Sequence, residues 1–226
     1  MKKIFFLRKL TRFLGLNSLI FRIIYRNNSY EELYDNFFTS KLSPGFVVYD
    51  IGANLGHYST VFSKTVTEVG QVYAFEPSFI NFNKLREATQ TFNNISIFNI
   101  GIGNKKKRLF ISQGSDEIGA TSRMCEIETS VGQWVDIDSI DNFVLANKFP
   151  NAIKIDVEGF ELEVLEGAID SLRSNKLKVV GIEIHTAILE SMYKNGNPIK
   201  EIESILTMSG FKVKWTDFSH LVAFRN

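Results

Sequence analysis

The sequence predicts an α/β domain built on a mainly parallel sheet, and three observations carry that reading. The chain has 226 residues, 44% of them hydrophobic, enough to bury one sizeable core and to exclude disorder as the default state. From Gly45 onward short apolar runs alternate with stretches of helical periodicity. The chain closes on two apolar runs separated by a short turn, which reads as a β-hairpin.

Taken in order, Phe46–Ile51 reads as the first strand, the glycines between Asp50 and Gly56 as a turn, and His57–Thr67 as a helix. Gln71–Phe75 is the second strand; Glu76-Pro77 ends it, because proline cannot continue the ladder. Ser78 caps a helix over Phe79–Phe92, and Ile95–Ile100 is a third strand. A basic turn, Lys105–Arg108, precedes a further pair of apolar strands. Residues 112–130 are polar and glycine-containing, a candidate substrate lid or long surface excursion. Gln133–Ile137 reads as a strand, Ile140–Phe149 as a short helix and Ala152–Val157 as the fourth parallel strand. Then come a helix over Glu161–Ser171, the fifth strand Val179–Ile184, helices over Thr186–Tyr193 and Ile199–Ser209, and a hairpin from Phe211–Thr216 and Leu221–Phe224.

Charge is placed unevenly. The 26 Lys+Arg and 25 Asp+Glu leave a net charge of +1, without the global basic excess of a non-specific nucleic-acid binder. Residues 1–30 hold seven of the basic residues and no acid, so this stretch is +7 and the remainder −6. Its apolar residues recur every three to four positions, as one face of a helix requires. No run reaches the ~18 apolar residues of a membrane span, and Arg8, Lys9 and Arg12 interrupt the apolar core a signal peptide needs. Residues 1–40 are therefore expected to form a basic amphipathic helical extension of a domain spanning 41–226. The expected role of residues 1–26 is peripheral contact with an anionic membrane, or packing as a cap or dimer contact. Cys125 is the single cysteine, which excludes an internal disulfide and a zinc cluster; the composition suits a reducing, cytoplasmic compartment.

The strongest local signal is Asp50-x-Gly52-x-Asn54-x-Gly56, which closes a strand and opens a helix, with Glu76 ending the next strand. Glycines let a backbone approach a ligand closely, and an acid at the second strand's end can accept both hydroxyls of a ribose. In a dinucleotide site the pyrophosphate would lie against this loop, where Asp50 would repel it. S-adenosyl-L-methionine carries a sulfonium, an ammonium and a ribose but no phosphate, so Asp50 with Glu76 favours it over NAD.

The run Val48-Tyr49-Asp50-Ile51-Gly52-Ala53-Asn54-Leu55-Gly56-His57-Tyr58-Ser59, then Ala74-Phe75-Glu76-Pro77, then Ile153-Lys154-Ile155-Asp156-Val157-Glu158-Gly159-Phe160-Glu161 with Leu165-Glu166-Gly167-Ala168, resembles the FkbM family of S-adenosylmethionine-dependent methyltransferases. The resemblance covers residues 45 to 224. It implies a Rossmann-like class I methyltransferase fold, a mainly parallel seven-stranded sheet with helices on both faces and a C-terminal β-hairpin. It further implies O-methylation of a sugar, glycan, glycolipid or secondary metabolite. Carried over, it puts Asp50, Gly52, Ala53, Asn54 and Gly56 around the methionine part of the cofactor and Glu76 on the ribose; Gly101 falls near the adenine by its position after the third strand, and Asp156 beside the methyl donor by its place at a strand end.

Asp156 and Glu158 end the fourth strand, and Glu183 and His185 end the fifth. Ligands of open parallel sheets bind beyond the carboxyl ends of the strands, so these four are the catalytic shortlist. An attacking hydroxyl must lose its proton, and neutral histidine suits that task near pH 7, which makes His185 the first candidate base. The alternative for His185 is packing against, or capping, the helix that follows it. Asp156, Glu158 and Glu183 could instead bind a divalent cation, although the sequence holds no compact metal motif. Glu158 or Glu161 could equally hold backbone amides at a helix start. His57 and Tyr58 are expected to fill the first loop, His220 to be exposed in the hairpin turn, and Lys105–Arg108 to form a solvated corner.

The leading expectation is thus an O-methyltransferase acting on a small-molecule or glycan hydroxyl. The alternatives are methylation of another acceptor atom or of a protein, and a non-catalytic methyltransferase-fold binding module. The chain lacks the (Asn/Asp)-Pro-Pro-(Tyr/Phe) run with which nucleic-acid methyltransferases hold a flipped base, so nucleic acid is not an expected partner.

Overall fold

The computed structural model describes residues 29–112, 123–125, 132–194 and 196–225. The expectation for residues 1–26 lies outside them, as do most of residues 112–130 and the side chain of Cys125. In chain order the elements begin with α1 (Ser29–Thr39), β1 (Val47–Ile51), α2 (His57–Val66), β2 (Gln71–Phe75), α3 (Phe79–Thr89) and β3 (Ile95–Phe98). Next come β4 (Gly101–Ile102), β5 (Lys107–Ser112), β6 (Arg123–Cys125), β7 (Gly132–Asp138) and α4 (Ile140–Phe143). The chain ends with β8 (Ala152–Ile155), α5 (Glu161–Glu166), α6 (Ile169–Arg173), β9 (Val179–Glu183), α7 (Thr186–Met192), α8 (Pro198–Met208), β10 (Lys212–Trp215) and β11 (His220–Phe224).

A seven-stranded sheet runs in the order β10-β11-β9-β8-β1-β2-β3. Its β3-β2-β1-β8-β9 portion is parallel, and the β10–β11 hairpin enters antiparallel against β9. Both faces are covered, which is why the central strands read as unbroken apolar runs. Alternation then sorts neighbours by face. Tyr49, Phe75, Ile153 and Ile182 pack with Phe143, Leu165, Leu172 and Leu206 from α4, α5, α6 and α8, while Val48, Val72, Val179 and Val222 pack with Tyr34, Phe38 and Phe62 from α1 and α2. On the first face aromatic rings meet edge to face, as in Phe75 and Phe143 with centroids 4.9 Å apart at 80°. Helix α1 lies within the expected extension, yet Tyr34 and Phe38 are each 1% exposed. A Cβ on Gly181 would sit 2.4 Å from the Tyr34 hydroxyl, so the glycine in β9 is what lets α1 approach the sheet.

The structure revises several sequence expectations. The strand expected over Ile95–Ile100 stops at Phe98, and Gly101–Ile102 joins a separate four-stranded sheet ordered β4-β7-β5-β6. Part of the expected excursion is strand β6, paired antiparallel with β5. The helix expected to Phe149 ends at Phe143, because the Asn147 amide donates to the Phe143 carbonyl at 3.0 Å and Leu145 is 82% exposed with no core to join. The helix expected over Glu161–Ser171 breaks at Gly167-Ala168. There a Cβ on residue 167 would fall 2.0 Å from the Gly103 carbonyl oxygen, so two backbones meet at this point.

Candidate active site

At the carboxyl end of β1 the chain turns through Gly52, Asn54 and Gly56, with φ of 80°, 49° and 88°. The turn is pinned by the next strand: Gly52 and Ala53 amides donate to the Phe75 carbonyl at 3.0 and 2.9 Å, and the Asn54 amide donates to Glu76 Oε2 at 2.9 Å. A Cβ on Gly52 would lie 1.8 Å from the Asp156 carbonyl oxygen. Glycine is therefore required twice over, by the left-handed backbone and by the approach of the β8 loop. Ala53 is buried among Ala74 and Leu85, and Gly56 faces Leu85, where a Cβ would lie 2.8 Å from its Cδ1. These two fix the loop against the helix layer rather than line the cleft.

Glu76 is 6% exposed and lines the cleft; its Oε1 accepts the Ser78 amide at 2.8 Å. Burial raises its pKa to about 7 against the pull of the two amide hydrogen bonds. Gly52, Asn54, Gly101, Asp156 and Glu158 line the same cleft. So does Asn81 on α3, which the sequence reading passed over. Asn54 Oδ1 and Asn81 Oδ1 are buried with no hydrogen-bond partner. Ile100, Ile102 and Ile111 supply apolar wall, and no Lys or Arg among the described residues lines the cleft.

Asp50 lies beneath the loop with no exposed surface and does not line the cleft. Its Oδ2 accepts the Ser59 hydroxyl at 2.5 Å, and its Oδ1 is 3.8 Å from Lys154 Nζ. Lys154, like Asn81, is not among the residues the sequence marks for the site; its signal is a lysine between Ile153 and Ile155 in an otherwise apolar strand. It is 3% exposed, lies 3.1 Å from Asp156 Oδ2, and sits 4.5 Å from the centroid of the Tyr58 ring. Burial pushes Asp50 up, with Lys154 and Ser59 opposing. Burial also disfavours ionised Asp156, but Lys154 and His185 overcome it and hold Asp156 below its ordinary value. The fold thus delivers one firmly ionised carboxylate at the cleft, positioned by a buried lysine.

Beyond Asp156 the chain turns through Glu158 (φ 49°) and Gly159 (φ 105°) into α5. Glu158 Oε2 is 3.2 Å from His185 Nε2, and Asp156 Oδ1 is 3.9 Å from the same nitrogen. On the other side of the ring, His185 Nδ1 lies 2.7 Å from Glu161 Oε1, a carboxylate with no exposed surface that also accepts the Gly159 amide at 3.0 Å. Burial works against a charged imidazole, but the Glu161 hydrogen bond and the charges of Glu161, Glu158 and Asp156 raise His185 to about 9. Its side chain makes no capping hydrogen bond to α7.

Glu183 does not join this group. It turns to His220, with Oε2 3.5 Å from Nε2. His220 corrects an expectation, since it is 3% exposed rather than solvated: the hairpin folds it under Tyr34, ring centroids 4.5 Å apart, and Asp217 accepts its Nδ1–H at 3.0 Å. Tyr58 donates to Asp35 at 2.8 Å, tying α2 to α1. In the basic turn Lys105 and Lys106 are exposed, Arg108 pairs with Asp136 at 3.3 Å and Lys107 with Glu163 at 3.4 Å.

A parallel sheet closed by an antiparallel hairpin, with an acidic cleft at the carboxyl ends of β1, β2 and β8, is the Rossmann-like fold of the methyltransferases. The chain belongs to the FkbM methyltransferase family: the sequence model of that family, described as the methyltransferase FkbM domain, matches residues 50–213. It is 29% identical over 150 residues to a hexuronic acid methyltransferase, AglP, of Haloferax volcanii, a match covering 63% of this chain and 57% of that protein. The chain thus spans little more than half the length of the curated relative it matches. Among solved structures it is similar to methyltransferase FkbM from Methylobacillus flagellatus, with a TM-score of 0.53 and 22% identity over 81% of this chain and 44% of that one. It is also similar to a Methanococcus jannaschii fibrillarin, with a TM-score of 0.52 and 17% identity over 81% and 68% of the two chains. These structural likenesses concern the fold.

Proposed function

We propose that the protein transfers a methyl group from S-adenosylmethionine to a hydroxyl oxygen of a sugar or glycan. The observation that carries this reading is the chemistry of the cleft, where buried Glu76 and two unpartnered amide oxygens, of Asn54 and Asn81, meet and no lysine or arginine among the described residues lines them. Such a surface suits a ligand with a positive centre and ribose hydroxyls, and it repels a pyrophosphate. Glu76 retains lone pairs for the two ribose hydroxyls, and Asn54 Oδ1 is an acceptor for an ammonium. Asp50 does not line the cleft; with Oδ2 on Ser59 and Oδ1 buried without a hydrogen-bond partner 3.8 Å from Lys154, it supports the site from below.

Bound S-adenosylmethionine supplies an activated methyl group on a sulfonium, so alignment supplies much of the acceleration. Asp156 and Glu158 face the acceptor side and orient its hydroxyl. His185 stands where a base is needed. Because its carboxylate neighbours keep the imidazole protonated to about pH 9, it can take the hydroxyl's proton only once it has lost its own.

The carbohydrate acceptor is supported by the Haloferax volcanii relative, whose name states a hexuronic acid substrate. Incubation with methyl-labelled S-adenosylmethionine and a panel of glycans, including hexuronate-containing ones, tests the proposal. Label in a hydroxyl-derived methyl ether supports it; label only in protein or on nitrogen, or no turnover, removes it.

A further inference from the structure

We infer that Asp156, Glu158 and His185 bind a divalent metal cation at the acceptor side of the cleft. Each offers one ligand atom, and the three atoms lie within 4.8 Å of one another. His185 Nε2 is 3.2 Å from Glu158 Oε2 and 3.9 Å from Asp156 Oδ1. With metal–ligand bonds of about 2.0–2.2 Å, neighbouring ligand atoms fall about 3–4 Å apart, so the trio closes on an ion with small side-chain adjustments. The ligands come from the ends of adjacent strands, β8 and β9, and the sequence therefore shows no compact motif.

An independent observation is on the far side of the ring. Glu161 is fully buried, its Oε1 accepts from His185 Nδ1, and its Oε2 has no hydrogen-bond partner. With Nδ1–H committed to Glu161, Nε2 is the ring atom that faces Asp156 and Glu158, and a metal ion would bind there in place of its proton. A buried carboxylate behind an imidazole in this way orients and strengthens metal-binding histidines. Charge points the same way. Lys154 bridges Asp50 and Asp156, whereas Glu158 and Glu161 have no Lys or Arg partner among the described residues. A divalent cation in place of the imidazole's Nε2 proton would add positive charge beside these carboxylates.

Two carboxylates and one imidazole, with no thiolate, suit magnesium or manganese, and three protein ligands leave positions open. Adjacent oxygens of an acceptor would fill them. That role rests on the proposed methyl transfer; the binding of the ion does not.

Titration of the cofactor-free 226-residue chain with Mn²⁺, followed by electron paramagnetic resonance of the free ion, tests the inference. One ion per chain is expected, with affinity at least tenfold weaker in Glu158→Gln and in His185→Ala. Glu161→Gln, which touches no ion, should weaken it about 10- to 100-fold through the imidazole. Glu183→Gln should leave affinity within twofold. Circular dichroism identifies any variant that fails to fold, and the conservative Glu158→Gln then decides. Absence of Mn²⁺ binding, or equal affinity in wild type and Glu158→Gln, overturns the site. A parallel S-adenosylmethionine titration separates the two readings: Mn²⁺ binding without cofactor binding removes the proposed function and leaves the metal site standing.

Discussion

Glu161 Oε1 accepts from both His185 Nδ1, at 2.7 Å, and the Gly159 amide, at 3.0 Å, from a position with no exposed surface. One carboxylate thereby fixes the imidazole at the end of β9 and the sharp turn that carries Glu158. Removing it leaves two buried donors without acceptors, whereas glutamine keeps an acceptor oxygen in place. Glu161→Ala should cost about 2–4 kcal/mol of stability and Glu161→Gln less than half of that, measured by urea unfolding. Equal losses in the two variants would show that side-chain volume, not hydrogen bonding, is what matters there.

The loop after β1 makes a sharper structural prediction. Gly45 and Gly52 share left-handed backbone, with φ of 84° and 80°, but a Cβ on Gly45 would meet its nearest atom at 4.0 Å and one on Gly52 at 1.8 Å. Gly45→Ala should cost about 1–2 kcal/mol, the strain of the backbone alone. Gly52→Ala must also push the β8 loop away, and should cost at least twice as much and abolish ligand binding. Comparable unfolding midpoints for the two would contradict the close approach of the Asp156 carbonyl.

His220 predicts a pH dependence of stability. Burial disfavours its charged form, but hydrogen bonds to Asp217 and Glu183 raise it from 6.5 to about 9. A pKa raised by folding stabilises fully below the unfolded value and is lost as pH climbs through the folded one. Asp217, held below its ordinary value by His220 and two backbone amides despite burial, acts at the other end, losing its contribution as pH falls. Stability should therefore decline between pH 6.5 and 9, and His220→Gln should flatten that slope by about 1–3 kcal/mol. His185 titrates in the same direction, so the difference between the two proteins, not the wild-type curve alone, is the readout. Parallel curves would remove His220 from the linkage.

Much of this was legible in advance because it lies in local pattern. The strand-turn-helix at Asp50–Gly56 and the acid at Glu76 stand in the sequence as a glycine loop and a strand terminator, and they fall where expected. What escaped depends on tertiary contact. Asp50 is charged and next to a glycine loop, which reads as ligand contact, and its burial beneath that loop, with one oxygen on Ser59 and the other 3.8 Å from Lys154, is set by tertiary packing. His220 occupies a hairpin turn, where polar residues are usually solvated, but α1 covers it. Glu183 and His185 are two residues apart and read as one strand end, which alternation would keep on one face; β9 ends at Glu183, however, and His185, at the start of α7, turns to different partners. Helix ends at Phe143 and Gly167 were set by an asparagine side chain and a backbone contact that periodicity cannot register.

Glu76 links the cleft to pH. Its carboxyl, raised to about 7, must be ionised to accept two ribose hydroxyls well. Affinity for S-adenosylmethionine should therefore rise as pH increases through 7 and level off above it. Glu76→Gln should lose that dependence and bind about tenfold more weakly, the equivalent of one charge-assisted hydrogen bond. A pH-independent affinity in the wild type would place the ribose elsewhere.

The central claim is that this cleft holds a cationic nucleoside rather than a dinucleotide, and calorimetric titration of the wild-type chain with S-adenosylmethionine and with NAD tests it most directly. One S-adenosylmethionine should bind per chain, its demethylated product should compete, and NAD should give no heat of binding. NAD binding, or no S-adenosylmethionine binding at millimolar concentration, would contradict the account.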